Sequence, residues 1–186
     1  MNPTSNKKDL EDLSTNIKDL AYNYVEKYAP SKQQLKIYLL KKYITKFKGS
    51  SSKKEFSQLI DEIIASMVEN KFLNDEFYSD SKARIYLRRG YSLNKISLAL
   101  KAKGIDREFI KKSLEKIKAD NIDTDFVSAL KLCQKKRIGA IRHENNRELF
   151  YKKDMGVLAR AGFSYEISKK VLSLPQAEYL KLIKIV

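Results

Sequence analysis

The chain has 186 residues, of which 42% are hydrophobic and 33% are charged. This composition is sufficient to bury a core and excludes a disordered tail. No run approaches the roughly 18 consecutive apolar residues that a membrane span needs. The first residues lack the apolar stretch of a signal peptide. We therefore expect a cytoplasmic protein that makes no membrane contact.

Apolar residues recur at helical spacing from the start of the chain, and capping residues mark where one predicted helix gives way to the next. Ser31 with Gln34 fits a capping box, in which each side chain bonds a free backbone amide at a helix start. Ser52 with Glu55 fits a second capping box. Between the two predicted helices, residues 45–53 are rich in Ser, Lys and Gly, which predicts a loop.

The segment after Ser52 places apolar residues on one helical face, and Asn74 then marks the start of another helix. On this next helix we predict a buried stripe of Phe77, Ser81 and Ile85, which ends at Gly90. The apolar residues predicted on the earlier face are Phe56, Leu59, Ile60, Ile63, Ile64 and Met67.

Shorter helices follow in the second half of the chain. Ser92 is predicted to cap a helix that ends at Gly104, where glycine can adopt a left-handed conformation. Asp106 is predicted to cap the next helix, and Asp123 or Thr124 opens a third. Strand-like alternation is hard to find anywhere, so we predict an all-α fold.

An internal repeat supports this architecture. Residues 103–114 align with residues 161–172 at an offset of 58, with Gly, apolar and Glu positions in register. Residues 35–44 match 96–105 at an offset of 61, without the glycine. We therefore predict three tandem three-helix repeats, stacked into an elongated, curved, solenoid-like array. The predicted segments are an N-terminal extension at 1–16, whose composition allows order or disorder, repeat 1 at 17–73, repeat 2 at 74–121, and repeat 3 with a C-terminal helix at 122–186.

Reactive groups are scarce. One cysteine, Cys133, excludes an intramolecular disulfide and a zinc-thiolate site. The single histidine, His143, lies about three helical turns away, which disfavours a Cys–His pair. Phosphate-binding, zinc-protease and nucleophile-elbow motifs are absent from the sequence. We expect neither an enzyme nor a bound cofactor or metal.

The distribution of charge is the first feature that indicates a function. The 38 Lys and Arg against 23 Asp and Glu give a net charge of +15. Residues 1–81 hold 13 basic and 12 acidic residues, whereas residues 82–153 hold 20 and 8. Every arginine lies at or after position 84. A positive field concentrated in the middle of the chain attracts polyanions, which favours a nucleic-acid or nucleoprotein surface.

Residues 72–106, FLNDEFYSDSKARIYLRRGYSLNKISLALKAKGID, carry a family pattern: an acidic-aromatic step, a basic helix, and an I-x-x-x-L-x-x-K-G-I helix. This stretch resembles the RecX family, the bacterial regulators of RecA recombinase. The S-x-x-x-L-x-x-x-L segment at 31–39 is similar to the family's first-repeat signature. The resemblance spans residues 20–173. It departs from the family at the longer loop 45–53 and at the turn 161–163.

The resemblance implies a non-catalytic modulator of DNA repair, homologous recombination and the SOS response. RecX proteins bind RecA, or its filament on single-stranded DNA, and lie along the filament groove. There they suppress ATP hydrolysis, strand exchange and co-protease activity, although some members support the filament. Several also bind single- and double-stranded DNA. We expect this chain to act as a monomer.

Basic residues of repeats 2 and 3 are the candidate contacts with RecA or DNA. Arginine binds phosphate or carboxylate with a fork of two donors, and lysine binds as a point charge. Tyr86 and Tyr91 lie among the basic residues and would stack on unpaired bases. The basic candidates are Arg84, Arg88, Arg89, Lys95, Lys101, Lys103, Lys135, Lys136, Arg137 and Arg142.

Two other functions remain open at this point. If the basic region did no more than bind nucleic acid, the chain would act as a general DNA-binding module without RecA. A helical scaffold with no nucleic-acid partner fits the repeats but leaves the charge asymmetry unexplained. Whether this chain inhibits or supports RecA, and which face meets RecA, do not follow from the sequence.

Overall fold

A computed structural model describes the backbone of residues 3–46, 53–119 and 123–185, with side chains from residue 14 to 43, 54 to 119 and 123 to 185. The all-α prediction is confirmed, because the described residues form helices and turns without a strand. The helices are α1 Pro3–Tyr28, α2 Lys32–Lys46, α3 Lys53–Glu69, α4 Asp75–Arg88, α5 Leu93–Lys101, α6 Arg107–Ala119, α7 Thr124–Lys136, α8 Glu144–Arg160, α9 Tyr165–Leu172 and α10 Gln176–Ile185. A 3-10 turn, Gly139–Ile141, precedes α8.

The chain forms two compact units. The N-terminal unit contains the described residues up to Tyr78 together with Lys103–Asp106, and the C-terminal unit contains Ser79–Ala102 and the described residues from Arg107 onwards. In the N-terminal unit, α1, α2 and α3 pack around an apolar core that includes Leu35, Leu39 and Ile60. In the C-terminal unit, α7, α8 and α9 enclose a second core, which Tyr179 of α10 completes.

The capping predictions at Ser31, Asn74 and Ser92 are confirmed, and the cap at Asp106 stays a prediction. The Ser31 Oγ accepts a bond from the Gln34 N–H at 3.3 Å, and the Gln34 Oε1 accepts one from the Ser31 N–H at 3.2 Å. Ser92 caps α5 through the Lys95 N–H, and Asn74 accepts from the Phe77 N–H. Asp123, rather than Thr124, caps α7. Ser52, with most of the loop predicted at 45–53, lies outside the described residues.

The buried stripe predicted on α4 is wrong at Phe77, which is 70% exposed. The helix buries Tyr78, Ser79 and Ala83 instead. The Ser113 hydroxyl of α6 donates to the buried Ser79 hydroxyl at 2.8 Å, and the Asp80 carboxylate lies 2.6 Å from the same Ser113 oxygen. An argument from apolar periodicity misses Ser79, because this serine is buried through hydrogen bonding rather than through hydrophobicity.

A polar junction fixes the start of α2 in the N-terminal unit. The Lys32 N–H donates to the buried Asp75 carboxylate at 2.9 Å, and the Ser31 hydroxyl donates to the Lys103 carbonyl at 2.8 Å. Gly104 adopts a φ of +75°, and a Cβ there would lie only 2.4 Å from the Cβ of Gln33. Glycine is therefore required both by the turn and by its close approach to α2.

The C-terminal unit contains the same junction at the start of α5. The Leu93 N–H donates to the Asp125 carboxylate at 2.8 Å, and the Ser92 N–H donates to the Ala161 carbonyl at 3.1 Å. Gly162 has a φ of +87° and packs against Lys95 as Gly104 packs against Gln33. In both places, a backbone N–H in the first turn of one helix has no acceptor within that helix. It donates instead to an aspartate at the start of a later helix.

The two junctions differ in one donor, and the sequence explains the difference. In the first junction the Ser31 N–H is occupied by the Gln34 side chain, so the serine hydroxyl reaches the carbonyl of Lys103. Lys95 stands where Gln34 does at the offset of 61, and it has no acceptor to offer. The Ser92 N–H is therefore available to the carbonyl of Ala161.

A buried ion pair holds the connection between α7 and α8. Asp154 of α8 is 1% exposed, and its carboxylate accepts from the Arg142 guanidinium at 2.7 and 2.8 Å. The same carboxylate accepts from the Gly139 N–H at 3.0 Å. The hydrogen bond to Asp154 raises the pKa of Arg142. The Arg142 side chain is thus part of the structure of this connection.

We predict that Asp75→Asn becomes more stable relative to the wild type as pH rises. Burial raises the pKa of Asp75 above its usual value of 3.8, despite the hydrogen bond from Lys32. The favourable contribution of this carboxyl is therefore complete when it is protonated and is lost as pH rises through the raised pKa. Asparagine keeps an acceptor for the Lys32 N–H without a buried charge.

Urea unfolding of both proteins at pH 3 and pH 7 measures this effect, and a stability difference that does not change with pH would contradict it. Asp75→Ala serves as the control. It leaves the Lys32 amide without its acceptor and is expected to cost about 1–3 kcal/mol.

We predict that Arg142→Ala lowers the free energy of unfolding by about 2–3 kcal/mol, because it leaves the Asp154 charge buried without its partner. Lys136→Ala is the matched control. Lys136 is exposed at the end of α7, so its loss is expected to change stability by less than about 0.5 kcal/mol. Urea unfolding at pH 7 compares the two variants, and equal small effects would show that the Arg142–Asp154 pair carries little stability.

Candidate polyanion interface

Three predicted arginines lie on the second half of α4. Arg84, Arg88 and Arg89 are all exposed, and the spacing of four residues places Arg84 and Arg88 on one face. The Arg84 charge also acts on Asp80 one turn earlier. Burial works to raise the pKa of Asp80, but hydrogen bonds from Lys116 and Ser113 and the nearby charges outweigh it and hold this pKa below its usual value.

The end of α4 meets α7 at a glycine. Gly90 has a φ of +81°, and a Cβ there would lie 3.2 Å from the Cβ of Leu132. Arg88 and Arg89 directly precede this contact, and the last turn of α7 follows it with three more exposed cations. The structure therefore places five of the predicted basic residues beside the contact between Gly90 and Leu132. We call this group the basic cluster, and its members are Arg88, Arg89, Lys135, Lys136 and Arg137.

Arg137 has an unusual backbone within this cluster. It caps the end of α7 in the left-handed conformation, with φ of 53° and ψ of 50°, and its N–H bonds the carbonyls of the last turn. A residue other than glycine in this region costs roughly 1–2 kcal/mol. An arginine side chain at this position adds its positive charge to the negative end of the helix dipole.

The two predicted tyrosines form a pair beside the cluster. The rings of Tyr86 and Tyr91 are stacked, with centroids 5.7 Å apart and planes within 15° of each other. The Lys95 Nζ lies 5.0 Å from the centroid of Tyr91 and donates to the carbonyl of Arg160. Both tyrosines are half-buried, so part of each residue is accessible to solvent.

Three predicted residues are not members of the basic cluster. Lys101 is exposed in the last turn of α5, and Lys103 belongs to the N-terminal unit, where its carbonyl accepts from Ser31. Arg142 binds Asp154, which leaves its guanidinium less available to an external anion. Their contact with RecA or DNA stays a prediction, as does that of the basic cluster.

Sequence reasoning missed an aromatic surface on the N-terminal unit. Tyr24 stacks on Tyr38 with ring centroids 3.9 Å apart, and Tyr22 meets Phe72 edge-on at 5.2 Å. Tyr22, Tyr28 and Phe72 are exposed. The spacing of Tyr24 and Tyr28 on α1 is the signal that was available, because residues four apart share a helix face.

The groups available for chemistry in the described residues are few. Cys133 is fully buried, and burial raises the pKa of its thiol to about 12. His143 is exposed at the start of α8, so the two do not share one environment. Among the residues described, no cluster of three or more His, Cys, Asp or Glu side chains is placed to hold a metal ion. None of the described helices is both long and apolar enough to cross a membrane.

Comparisons with known proteins identify the family. Residues 74–114 match the family model "RecX, second three-helix domain". The chain is 32% identical over 160 residues to the regulatory protein RecX of Myxococcus xanthus, covering 85% of this chain and 84% of that protein. It is 30% identical over 108 residues to the regulatory protein RecX of Agrobacterium fabrum, covering 58% and 55% of the two chains.

A solved structure shows the same fold. The crystal structure of RecX from Lactobacillus salivarius matches with a TM-score of 0.61 and 18% identity, over 95% of this chain and 99% of that one. The helical fold, the match to the second three-helix domain and the identity to the Myxococcus xanthus protein lead to one assignment: the chain belongs to the RecX family of regulatory proteins.

Proposed function

We propose that this protein is a non-catalytic regulator of RecA. It binds RecA, or the RecA filament on single-stranded DNA, in the cytoplasm and reduces ATP hydrolysis, strand exchange and co-protease activity. Membership of the RecX family supports the regulatory role. The observation that carries the contact itself is the basic cluster, in which five exposed cations flank the contact between Gly90 and Leu132.

The chemistry of this cluster suits a nucleoprotein target. Arg88 and Arg89 present guanidinium forks that bind a phosphate or a carboxylate through two parallel bonds. Lys135 and Lys136 add point charges one turn beyond Leu132. The surrounding sequence is strongly basic, so long-range attraction accelerates the first encounter with the anionic filament.

A second candidate function is direct DNA binding without RecA. The stacked pair of Tyr86 and Tyr91 beside Lys95 favours it, because aromatic faces with adjacent cations are the elements that bind single strands without sequence preference. In this case, RecA would be affected only because its DNA is occupied.

A titration of this protein into RecA on single-stranded DNA separates the two functions. We expect the ATPase rate to fall at amounts of protein below one per RecA protomer, and the inhibition to persist in a several-fold excess of DNA. Such inhibition requires contact with the filament, because free DNA would otherwise compete for a DNA-binding protein. The phosphate released per minute is the measurement.

Inhibition that disappears with the added DNA would support the second function. In that case, affinity for duplex DNA should fall steeply with salt. About six phosphate contacts give a log–log slope near −5. A stimulated ATPase rate would contradict the inhibitory direction proposed here while leaving filament contact intact.

Charge reversal tests the arginines of α4. We expect Arg84→Glu, Arg88→Glu and Arg89→Glu, combined in one protein, to weaken filament binding at least tenfold, because three attractive charges become repulsive. The helical circular dichroism should remain that of the wild type, since these side chains lie on the surface. Fluorescence anisotropy of labelled filaments measures the affinity.

The matched control carries the same change of net charge elsewhere. Lys169, Lys181 and Lys184 are exposed on α9 and α10, and their replacement by glutamate alters the overall charge equally. If the control loses as much affinity as the arginine variant, the effect belongs to net charge, and the assignment of α4 to the interface is wrong.

A further inference from the structure

The N-terminal part of the chain contains a basic segment that its overall charge conceals. Residues 27–54 hold nine lysines and no acidic residue, whereas residues 55–80 hold seven acidic residues and one lysine. The near balance of charge over residues 1–81 is therefore a sum of two opposite segments. The basic one contains the whole of α2, which carries five of the nine lysines. A helix with this charge attracts anions.

The lysines of α2 have different surroundings. The Nζ atoms of Lys32 and Lys36 lie 3.9 and 2.6 Å from aspartate carboxylates of α4 and α3. Lys41 and Lys42, further along the helix, are exposed. One pair of lysines is thus balanced by acidic side chains of the N-terminal unit, and a second pair lies on its surface.

Three tyrosine rings form a stack where α1 packs against α2. The ring centroid of Tyr24 lies 3.9 Å from that of Tyr38 on α2 and 4.8 Å from that of Tyr28, one turn later on α1. Tyr24 and Tyr38 are half-buried, whereas Tyr28 is 55% exposed. The stack therefore ends in a residue that is open to solvent.

Lysines accompany the outer rings of this stack. The Lys27 Nζ lies 5.4 Å from the ring centroid of Tyr28, and the Lys42 Nζ lies 5.8 Å from that of Tyr38. Aromatic rings with adjacent cations are the elements that hold single strands of nucleic acid, because bases stack on the rings and phosphates meet the cations. We call this group the tyrosine–lysine surface, and its members are Tyr24, Lys27, Tyr28, Tyr38 and Lys42.

The combination of ring and cation selects the occupant of this surface. In a duplex the bases are stacked on one another, so only the phosphates could reach the surface and Tyr28 would contribute little. An acidic peptide would meet the lysines but offers no flat π face to the exposed ring. An unpaired base with its phosphates supplies both partners.

We propose that the tyrosine–lysine surface is a binding site for single-stranded nucleic acid. An unpaired base stacks on Tyr28, and the neighbouring phosphates lie against Lys27 and Lys42. This site shares no residue with the basic cluster or with the pair of Tyr86 and Tyr91. It does not depend on the regulation of RecA proposed above, so either inference can fail while the other stands.

Photo-crosslinking locates a stacked base directly. The full chain is irradiated with a thymidine oligomer of about 12 nucleotides in which one base is replaced by 5-iodouracil. We expect mass spectrometry to find an adduct at Tyr28, because the photo-activated base reacts with an aromatic ring stacked on it. Adducts at Tyr86 or Tyr91 with none on α1 or α2 would overturn the inference.

Substitution of the exposed ring measures its contribution. Tyr28→Ala is expected to lower the affinity for the oligomer at least about fivefold, whereas Tyr28→Phe keeps the ring and should bind like the wild type. The matched control is Tyr165→Ala, at a tyrosine of α9 that is 63% exposed. Fluorescence anisotropy of the labelled oligomer gives the affinities, and circular dichroism checks folding. No loss in Tyr28→Ala, or an equal loss in the control, would show that Tyr28 does not bind the strand.

Dependence on the base separates stacking from a structural role. An abasic oligomer of the same length keeps the phosphates, so Tyr28→Ala should bind it as well as the wild type does. With the thymidine oligomer, the loss should be similar at low and high salt, because salt screens charges and not stacking. Lys42→Gln should instead reduce the log–log salt slope by about 0.7, the value for one phosphate contact of a single strand. An equal loss on the abasic oligomer would overturn the stacking.

A second copy of the chain is the competing occupant. If sedimentation shows that the wild-type chain self-associates, and Tyr28→Ala abolishes this without changing affinity for the oligomer, the tyrosines serve a contact between copies. The inference would then be wrong.

Discussion

The amides at the start of a helix have no acceptor within the helix, and the arrangement of this protein depends on how two such starts are satisfied. Asp75 bonds the first turn of α2, and Asp125 bonds the first turn of α5. Each aspartate lies on the first turn of a later helix. Both carboxyls are partly removed from water, and this burial raises their pKa values. Burying either carboxylate costs free energy unless it accepts a hydrogen bond from its backbone amide.

Glycines at positive φ complete this arrangement and also position the candidate interface. Gly104 and Gly162 let a turn approach the start of α2 and of α5, and Gly90 lets the end of α4 approach α7. The basic cluster flanks the last of these contacts. Its geometry is therefore set by a backbone contact at Gly90 rather than by the charged side chains, which would repel one another if nothing else held them together.

The helix that corresponds to α5 at the offset of 58 departs from this pattern. This helix, α8, begins at Glu144 and is longer than α5, so the position equivalent to the start of α5 lies inside it. The Arg142–Asp154 pair and Arg147 hold the connection that precedes it. These bonds fix the backbone of the connection between α7 and α8.

The sequence by itself determined what depends on neighbours along the chain: the helices, the caps at Ser31 and Ser92, the left-handed turn at Gly104 and the concentration of charge after residue 81. These follow from local backbone chemistry and counting. Only the tertiary structure decided that Phe77 faces solvent, that Ser79 and Ser113 hold α4 to α6, and that Arg142 is bound to Asp154. Those outcomes depend on hydrogen bonds between residues 12 to 34 positions apart, and neither periodicity nor net charge specifies such partners.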